Sequence, residues 1–187
     1  MATQPKTTGL TYEDLRRFPE DNLRRELIDG ELIVTAAPAT RHQRVVLRLG
    51  AALLAHSDRH GGEAFVAPTD VFLSESNVVE PDVLFVGPEN LARVEKPFVR
   101  SAPDLVVEVS SPSTRRLELV RKRELYERFG VPEYWYVDLD ADRVEVYRLA
   151  EGRYGLPVLF GRGATLPSAQ TEGFAIEVDA LLGPPED

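Results

Sequence analysis

The chain has 187 residues, 28 % of them charged and 43 % hydrophobic, a composition that supports a packed core and excludes global disorder. It has no cysteine, which excludes disulfides, thiolate catalysis and Cys-ligated zinc or iron–sulfur sites, and no apolar run long enough for a transmembrane helix. The formal net charge of −9 repels polyanions in general, so any nucleic-acid role must rest on a local site.

Residues 1–9 read as a flexible polar leader without the charged-then-apolar pattern of a secretion signal, so a cytoplasmic protein is expected. Residues 10–183 read as one domain, free of repeats and composition breaks, and 184–187 as a tail. Thr11 followed by Asp14 predicts a short helix running to about Phe18. Asp29-Gly30 between two β-prone runs, within Arg25–Val34, predicts a hairpin. Val46, Leu49 and Leu53 fall at i, i+3 and i+7 and predict an amphipathic helix from His42 to about His56, stopped by Gly61-Gly62.

Ala64–Ala67 and Asp70–Leu73 read as short strands, and Val78–Val86 as one strand with a proline near its start. Gly87–Ser101 reads as a polar, irregular stretch. The continuous apolar run Leu105–Val109 has the character of a buried central strand. Ser113-Thr114 can cap a helix that runs to Phe129, with Gly130 and Pro132 ending it. Two strands follow at Tyr134–Val137 and Arg143–Leu149, around a turn at Asp140. A strand near Val158 and a short helix near Val178–Leu182 complete the chain. The pattern predicts an α/β fold, a mixed sheet flanked by helices with an N-terminal helix and hairpin ahead of it.

Three charges interrupt this apolar pattern. Glu108 lies inside Leu105–Val109, sharing a face with Val106, where an unpaired buried carboxylate costs several kcal/mol. Asp82 opens the run Val83–Val86 on the Leu84 and Val86 face, behind Pro81. Lys122 sits in the apolar stripe formed with Leu119, Leu125, Tyr126 and Phe129, so its ammonium must either reach solvent or meet an acid, and Glu108 is a candidate partner. Two carboxylates and a lysine at the end of a sheet suit magnesium, which takes oxygen ligands and supports phosphodiester hydrolysis. A structural Glu108–Lys122 salt bridge, or a surface pair of Lys122 with Glu118, would leave the same pattern.

These residues resemble the PD-(D/E)XK nuclease superfamily. Pro81-Asp82 resembles the PD half and Glu108-Val109 the (D/E)X half, while Ser110 stands at the usual lysine position. The wider pattern of Glu108–Ser113, Lys122 with Tyr126, and Gly130–Trp135 resembles the bacterial family of restriction-endonuclease-like proteins first described as a domain of unknown function. In that family the lysine has migrated to the following helix, matching Lys122, and a Glu precedes an Asp-Gly hairpin, matching Glu26. The resemblance runs from about Thr11 to Leu182. It implies a restriction-endonuclease-like core in which Asp82, Glu108 and the Val109 carbonyl bind magnesium or manganese. Lys122 would position or activate the attacking water and Glu26 would act as an auxiliary acid. DNA is the implied substrate and a homodimer the implied assembly. The alternative is a nuclease-like fold serving as a non-catalytic binding or regulatory module, which the acidic net charge favours.

Other signals carry less. Asp138, Asp140 and Asp142 resemble the start of a calcium loop, but Arg143 and Leu149 stand where Gly and Glu are needed, so a polar hairpin turn is expected. His56 and His60 share a helix face and are expected at a solvated helix end; His42, just before that helix, can face the site. Asp104 rivals Asp82 but lies about 13 Å from Glu108 at strand rise, too far to share one ion. The segment Arg115–Arg128 holds six basic residues against three acidic ones, a candidate contact for a phosphate backbone.

Overall fold

The computed structural model describes residues 8–19, 21, 23–35, 38–110 and 117–185. The cap expected at Ser113-Thr114, and Arg115 and Arg116, lie outside the described residues. The chain opens with helix α1 (Tyr12–Leu15), where Asp14 Oδ2 accepts hydrogen bonds from the amide and hydroxyl of Thr11. Strands β1 (Arg24–Ile28) and β2 (Glu31–Thr35) form the expected hairpin. Asp29 and Gly30 adopt φ of 53° and 73°, the positive values that a two-residue turn needs and Asp-Gly tolerates. Helix α2 (Thr40–His60) follows, then β3 (Glu63–Val66), β4 (Val71–Ser74), β5 (Asn77–Val79), β6 (Val83–Val86), β7 (Val99–Arg100) and β8 (Leu105–Val109). A π-helical segment (Leu117–Lys122) leads into α3 (Arg123–Arg128), then β9 (Glu133–Asp138), β10 (Arg143–Ala150), β11 (Arg153–Tyr154), β12 (Val158–Gly161), β13 (Thr165–Pro167), β14 (Ala175–Glu177) and α4 (Val178–Leu182).

The larger sheet runs β11-β10-β9-β8-β6-β3, with β12 also on β10; β8 pairs parallel with β9 and antiparallel with β6. A second sheet runs β2-β1-β5-β4-β7. Strand alternation divides the core between the two faces of the larger sheet. On one face Val83, Phe85, Leu105, Val107, Val109, Trp135 and Val137 pack against Val45, Leu49 and Leu53 of α2 and Leu181 of α4. On the other, Leu84, Val86, Val106, Tyr134 and Tyr136 meet Ile28, Val71, Val79 and Val99 of the second sheet and Leu125 and Tyr126 of α3. Each fully buried aliphatic or aromatic side chain contributes about 1.5–3 kcal/mol relative to an exposed one. The α/β class, the hairpin, the long helix and the central position of Leu105–Val109 are as expected.

The segment expected to be one strand, Val78–Val86, is two strands in two sheets. Pro81 has no amide hydrogen for a ladder, and the chain crosses between the sheets at Glu80-Pro81-Asp82. The stretch 87–101 is not irregular throughout: a 3₁₀ helix (Pro88–Arg93) starts at a proline, and β7 pairs parallel with β4. The helix after Glu108 is not a regular α-helix along its described length, because Leu117–Lys122 is wound as π-helix. His56 is buried rather than solvated. Its ring stacks on His60 at 4.4 Å between centroids and meets Phe174 edge-on at 5.6 Å. Burial, aided by His60 and Arg59, lowers its pKa. Asp138–Asp142 is a turn between β9 and β10, as expected, with the Ala141 amide donating to Asp138 Oδ1.

Candidate active site

Four elements bring charged side chains into the layer between the two sheets. Strand β1 supplies Arg24 and Glu26, two residues apart and therefore on one face. The crossing between β5 and β6 supplies Glu80 and Asp82. Strand β8 supplies Glu108, and the π-to-α junction supplies Lys122, with Tyr126 one turn later. Glu26, Asp82, Glu108 and Lys122 are all buried, Lys122 to 2 % exposure. The three misplaced charges of the sequence thus meet, and Glu26 joins them.

In each buried carboxylate one oxygen is held by more than one partner. Asp82 Oδ2 accepts from the Val109 amide at 2.8 Å and lies 3.0 Å from His42 Nε2, which the ionised acid assigns as the protonated nitrogen. Glu108 Oε1 accepts from Lys122 Nζ at 2.9 Å and from the Tyr126 hydroxyl at 2.6 Å. Glu26 Oε1 accepts from the Glu80 amide at 2.7 Å and pairs with Lys122 Nζ at 2.7 Å. The second oxygens are different. Asp82 Oδ1 accepts from Arg24 Nη1 at 2.8 Å, while Glu108 Oε2 and Glu26 Oε2 are buried without a hydrogen bond. Open carboxylate oxygens beside anchored ones form the donor set of a hard divalent cation. Among the described residues, however, no three acidic or histidine side chains are gathered closely enough to hold a metal ion as they stand.

The local field fixes the charge states. Burial alone would raise the Asp82 pKa, but the His42 hydrogen bond and the Arg24 guanidinium outweigh it and hold Asp82 well below the usual carboxylate range. Glu108 goes the other way: complete burial, with the Asp82 charge nearby, raises its pKa despite Lys122. Burial would lower the Lys122 pKa, yet Glu108 and Glu26 together raise it, so the amine remains an ammonium. Burial and the Glu108 charge push Tyr126 well above its ordinary value, so it stays a phenol donor. Glu80, at the rim, is raised to about 7, mainly by burial.

Sequence reasoning missed Arg24, Glu80 and the role of Tyr126. The period-2 register of Arg24 with Glu26 and the i, i+4 spacing of Lys122 and Tyr126 were available signals; the approach of Glu80 was not, because it depends on the crossing at Pro81. At Val109 the structure shows the amide tied to Asp82. Asp104 belongs elsewhere: its carboxylate accepts from the Gly87 amide and the Asn90 side chain, each at 2.7 Å. Of the basic segment, Arg121 pairs with Glu31 and Arg128 with Asp29, so part of it is neutralised within the chain.

Comparison with known proteins bears on the fold and the family. A crystal structure described as a putative nuclease of the DUF820 family, from Anabaena variabilis, superposes with a TM-score of 0.77 over 92 % of this chain and 97 % of that one, at 18 % identity. That likeness shows the fold. An uncharacterized protein of Synechocystis, sll1609, is 26 % identical over 169 residues, 89 % of this chain and 94 % of that protein. No helix among the described residues is long and apolar enough to cross a membrane. The family model described as "Uma2: Putative restriction endonuclease" matches residues 12–179, a span that includes every residue of the charged cluster, and the chain belongs to this family, a branch of the PD-(D/E)XK nucleases.

Proposed function

We propose that the chain is a metal-dependent endonuclease that hydrolyses DNA phosphodiesters. Asp82 Oδ1, Glu108 Oε2 and the Val109 carbonyl would hold magnesium or manganese, and Glu26 would stand beside them as an auxiliary acid. The ion would supply a water of lowered pKa and offset charge building on the phosphate. The observation that carries the reading is the split carboxylates: three buried acids, each anchored through one oxygen to groups of the fold other than Arg24, with the second oxygen of two left without a hydrogen bond.

The remaining steps belong to the side chains. Lys122 donates to Glu108 Oε1 and pairs with Glu26 Oε1, which leaves one of its three N–H bonds for an attacking water or a phosphate oxygen. Because its pKa is raised, Lys122 orients and neutralises as an ammonium and does not take the proton from water. Tyr126 fixes the Glu108 rotamer through its hydroxyl. His42 and the Val109 amide do the same for Asp82 and keep it ionised. Such preorganised charges place the electrostatic work before the reaction begins.

The test is cleavage of supercoiled plasmid, single-stranded DNA and RNA with magnesium or manganese. Cleavage by the wild type, abolished by chelator and reduced at least about 100-fold in Asp82→Ala and Glu108→Ala, is the expected result. Cleavage that survives both substitutions overturns the assignment. Metal binding without cleavage of any of the three substrates would favour the non-catalytic module instead.

A further inference from the structure

We propose that Arg24 is the resident counter-cation of the metal-free site, and that its guanidinium and a divalent ion compete for the same carboxylate oxygens. The proposal rests on the cation site proposed above. Arg24 reaches all four acids of the cluster. Its Nη1 lies 2.8 Å from Asp82 Oδ1, its Nη2 3.6 Å from Glu26 Oε1 and 3.8 Å from Glu108 Oε2, and its Nε 3.9 Å from Glu80 Oε2. The oxygens it faces on Asp82 and Glu108 are the two that no other described group engages. One cation therefore stands where the ligand set would put another.

The fit is good in charge and poor in geometry. A guanidinium is a planar fork that binds a carboxylate best through two parallel N–H bonds. Here only Nη1 makes a hydrogen bond within the cluster. Arg24 Nε and Nη2, Glu26 Oε2 and Glu108 Oε2 are buried without one. Buried polar atoms left this way each cost on the order of 1–3 kcal/mol. A small ion with oxygen ligands at about 2.1 Å would engage these oxygens directly. Among the described residues no three acids are gathered closely enough for that, as expected when they are splayed around a guanidinium.

Arg24 is also the cation able to leave. Although Nε and Nη2 are buried, its side chain as a whole keeps 23 % of its surface exposed, whereas that of Lys122 keeps 2 %. It sits at the first position of β1, beside the exposed Leu23, so its head can swing toward solvent without breaking the strand. The metal-free chain is then a closed state whose own side chain blocks loading, and the cost of displacing Arg24 is paid from the binding energy of the ion.

Calorimetric titration of the full metal-free chain with manganese chloride tests this, alongside Arg24→Met, which keeps the apolar stem and removes the charge, and Arg24→Lys. Arg24→Met should bind manganese at least tenfold more tightly than the wild type. It should also melt at a lower temperature without metal and recover when loaded. Arg24→Lys, with a compact ammonium in place of the fork, should also bind more tightly than the wild type, and it serves if the Met variant does not fold. Equal or weaker binding by the variant that folds overturns the competition and leaves the cation site standing. No binding by the wild type or the variants overturns the cation site and the competition together.

Discussion

Two buried glutamates on adjoining strands, Glu108 of β8 and Glu133 of β9, solve the same problem in opposite ways. Both are fully buried. Glu133 has both oxygens satisfied by neutral donors: Oε1 accepts from the Trp135 indole at 2.6 Å, and Oε2 from the amides of Ala169 and Gln170 at 2.7 and 3.1 Å. It ties the segment after β13 to the sheet. Glu108 has one oxygen bound by an ammonium and a phenol and the other without a hydrogen bond, 3.8 Å from the Arg24 guanidinium. Burial of a carboxylate therefore does not mark function. What separates the two is whether the fold supplies the last hydrogen bond or withholds it.

Removing a cation from the Glu108 region should have the largest effect. Lys122→Met leaves Glu26 and Glu108 buried without their shared partner, and loss of one member of such a pair costs roughly 3–5 kcal/mol. Denaturant unfolding at neutral pH measures this, and a change under 1 kcal/mol would show that the cluster is hydrated rather than dry. Glu108→Gln comes next. It keeps the shape but removes the charge, and metal-dependent cleavage should fall about 100- to 1,000-fold, read from initial rates on plasmid. Glu133→Gln is the control with the opposite signature. Trading one acceptor oxygen for an amide should cost about 1–3 kcal/mol of stability while leaving the cleavage rate of the folded enzyme unchanged. A rate loss matching that of Glu108→Gln would erase the distinction between the two acids.

Much of this contrast was legible in the sequence from one side only. Glu108 and Lys122 were visible because each interrupts an apolar pattern whose period is fixed by the backbone, 2 in a strand and 3.6 in a helix. Asp82 was visible for the same reason, and Glu26 through the family's Asp-Gly hairpin. Arg24 was legible only through Glu26, whose face of β1 it shares at period 2; the period alone does not say which of the two opening arginines is on the buried face. Glu80 could not be found, because its position depends on Pro81 sending the chain from one sheet to the other. Glu133 reads as an ordinary polar residue at a strand start; its partners at 169 and 170 lie on a segment whose short strands β13 and β14 have too few residues for a periodic signal.

The smallest expected effect is the slope of stability with pH in the metal-free chain, and it reports on the rim of the cluster. Burial raises Glu80 to about 7 and, with the Glu26 charge, raises Asp70 to about 6. In the unfolded chain these groups titrate at about 4.3 and 3.9. Between those values and 6 to 7 the folded state holds protons on these two acids that the unfolded state has released, so their contribution to stability falls as pH rises through that window, while His56, whose pKa is lowered, contributes with the opposite sign below about 6.5. The depressed Asp82 works with opposite sign but lower down: its contribution is present above about 3.9 and is lost only as pH falls below it. Asp82 therefore adds nothing to the slope above pH 5, and His56 is common to the wild type and to a variant of the two rim acids. Unfolding in chelator from pH 5 to 8 should therefore show the stability of the wild type falling relative to that of the double variant Asp70→Asn/Glu80→Gln as pH rises. Parallel profiles of the wild type and the double variant over this range would mean that the rim acids are ionised and solvated, and that the unmatched polar atoms of the site stop at Arg24.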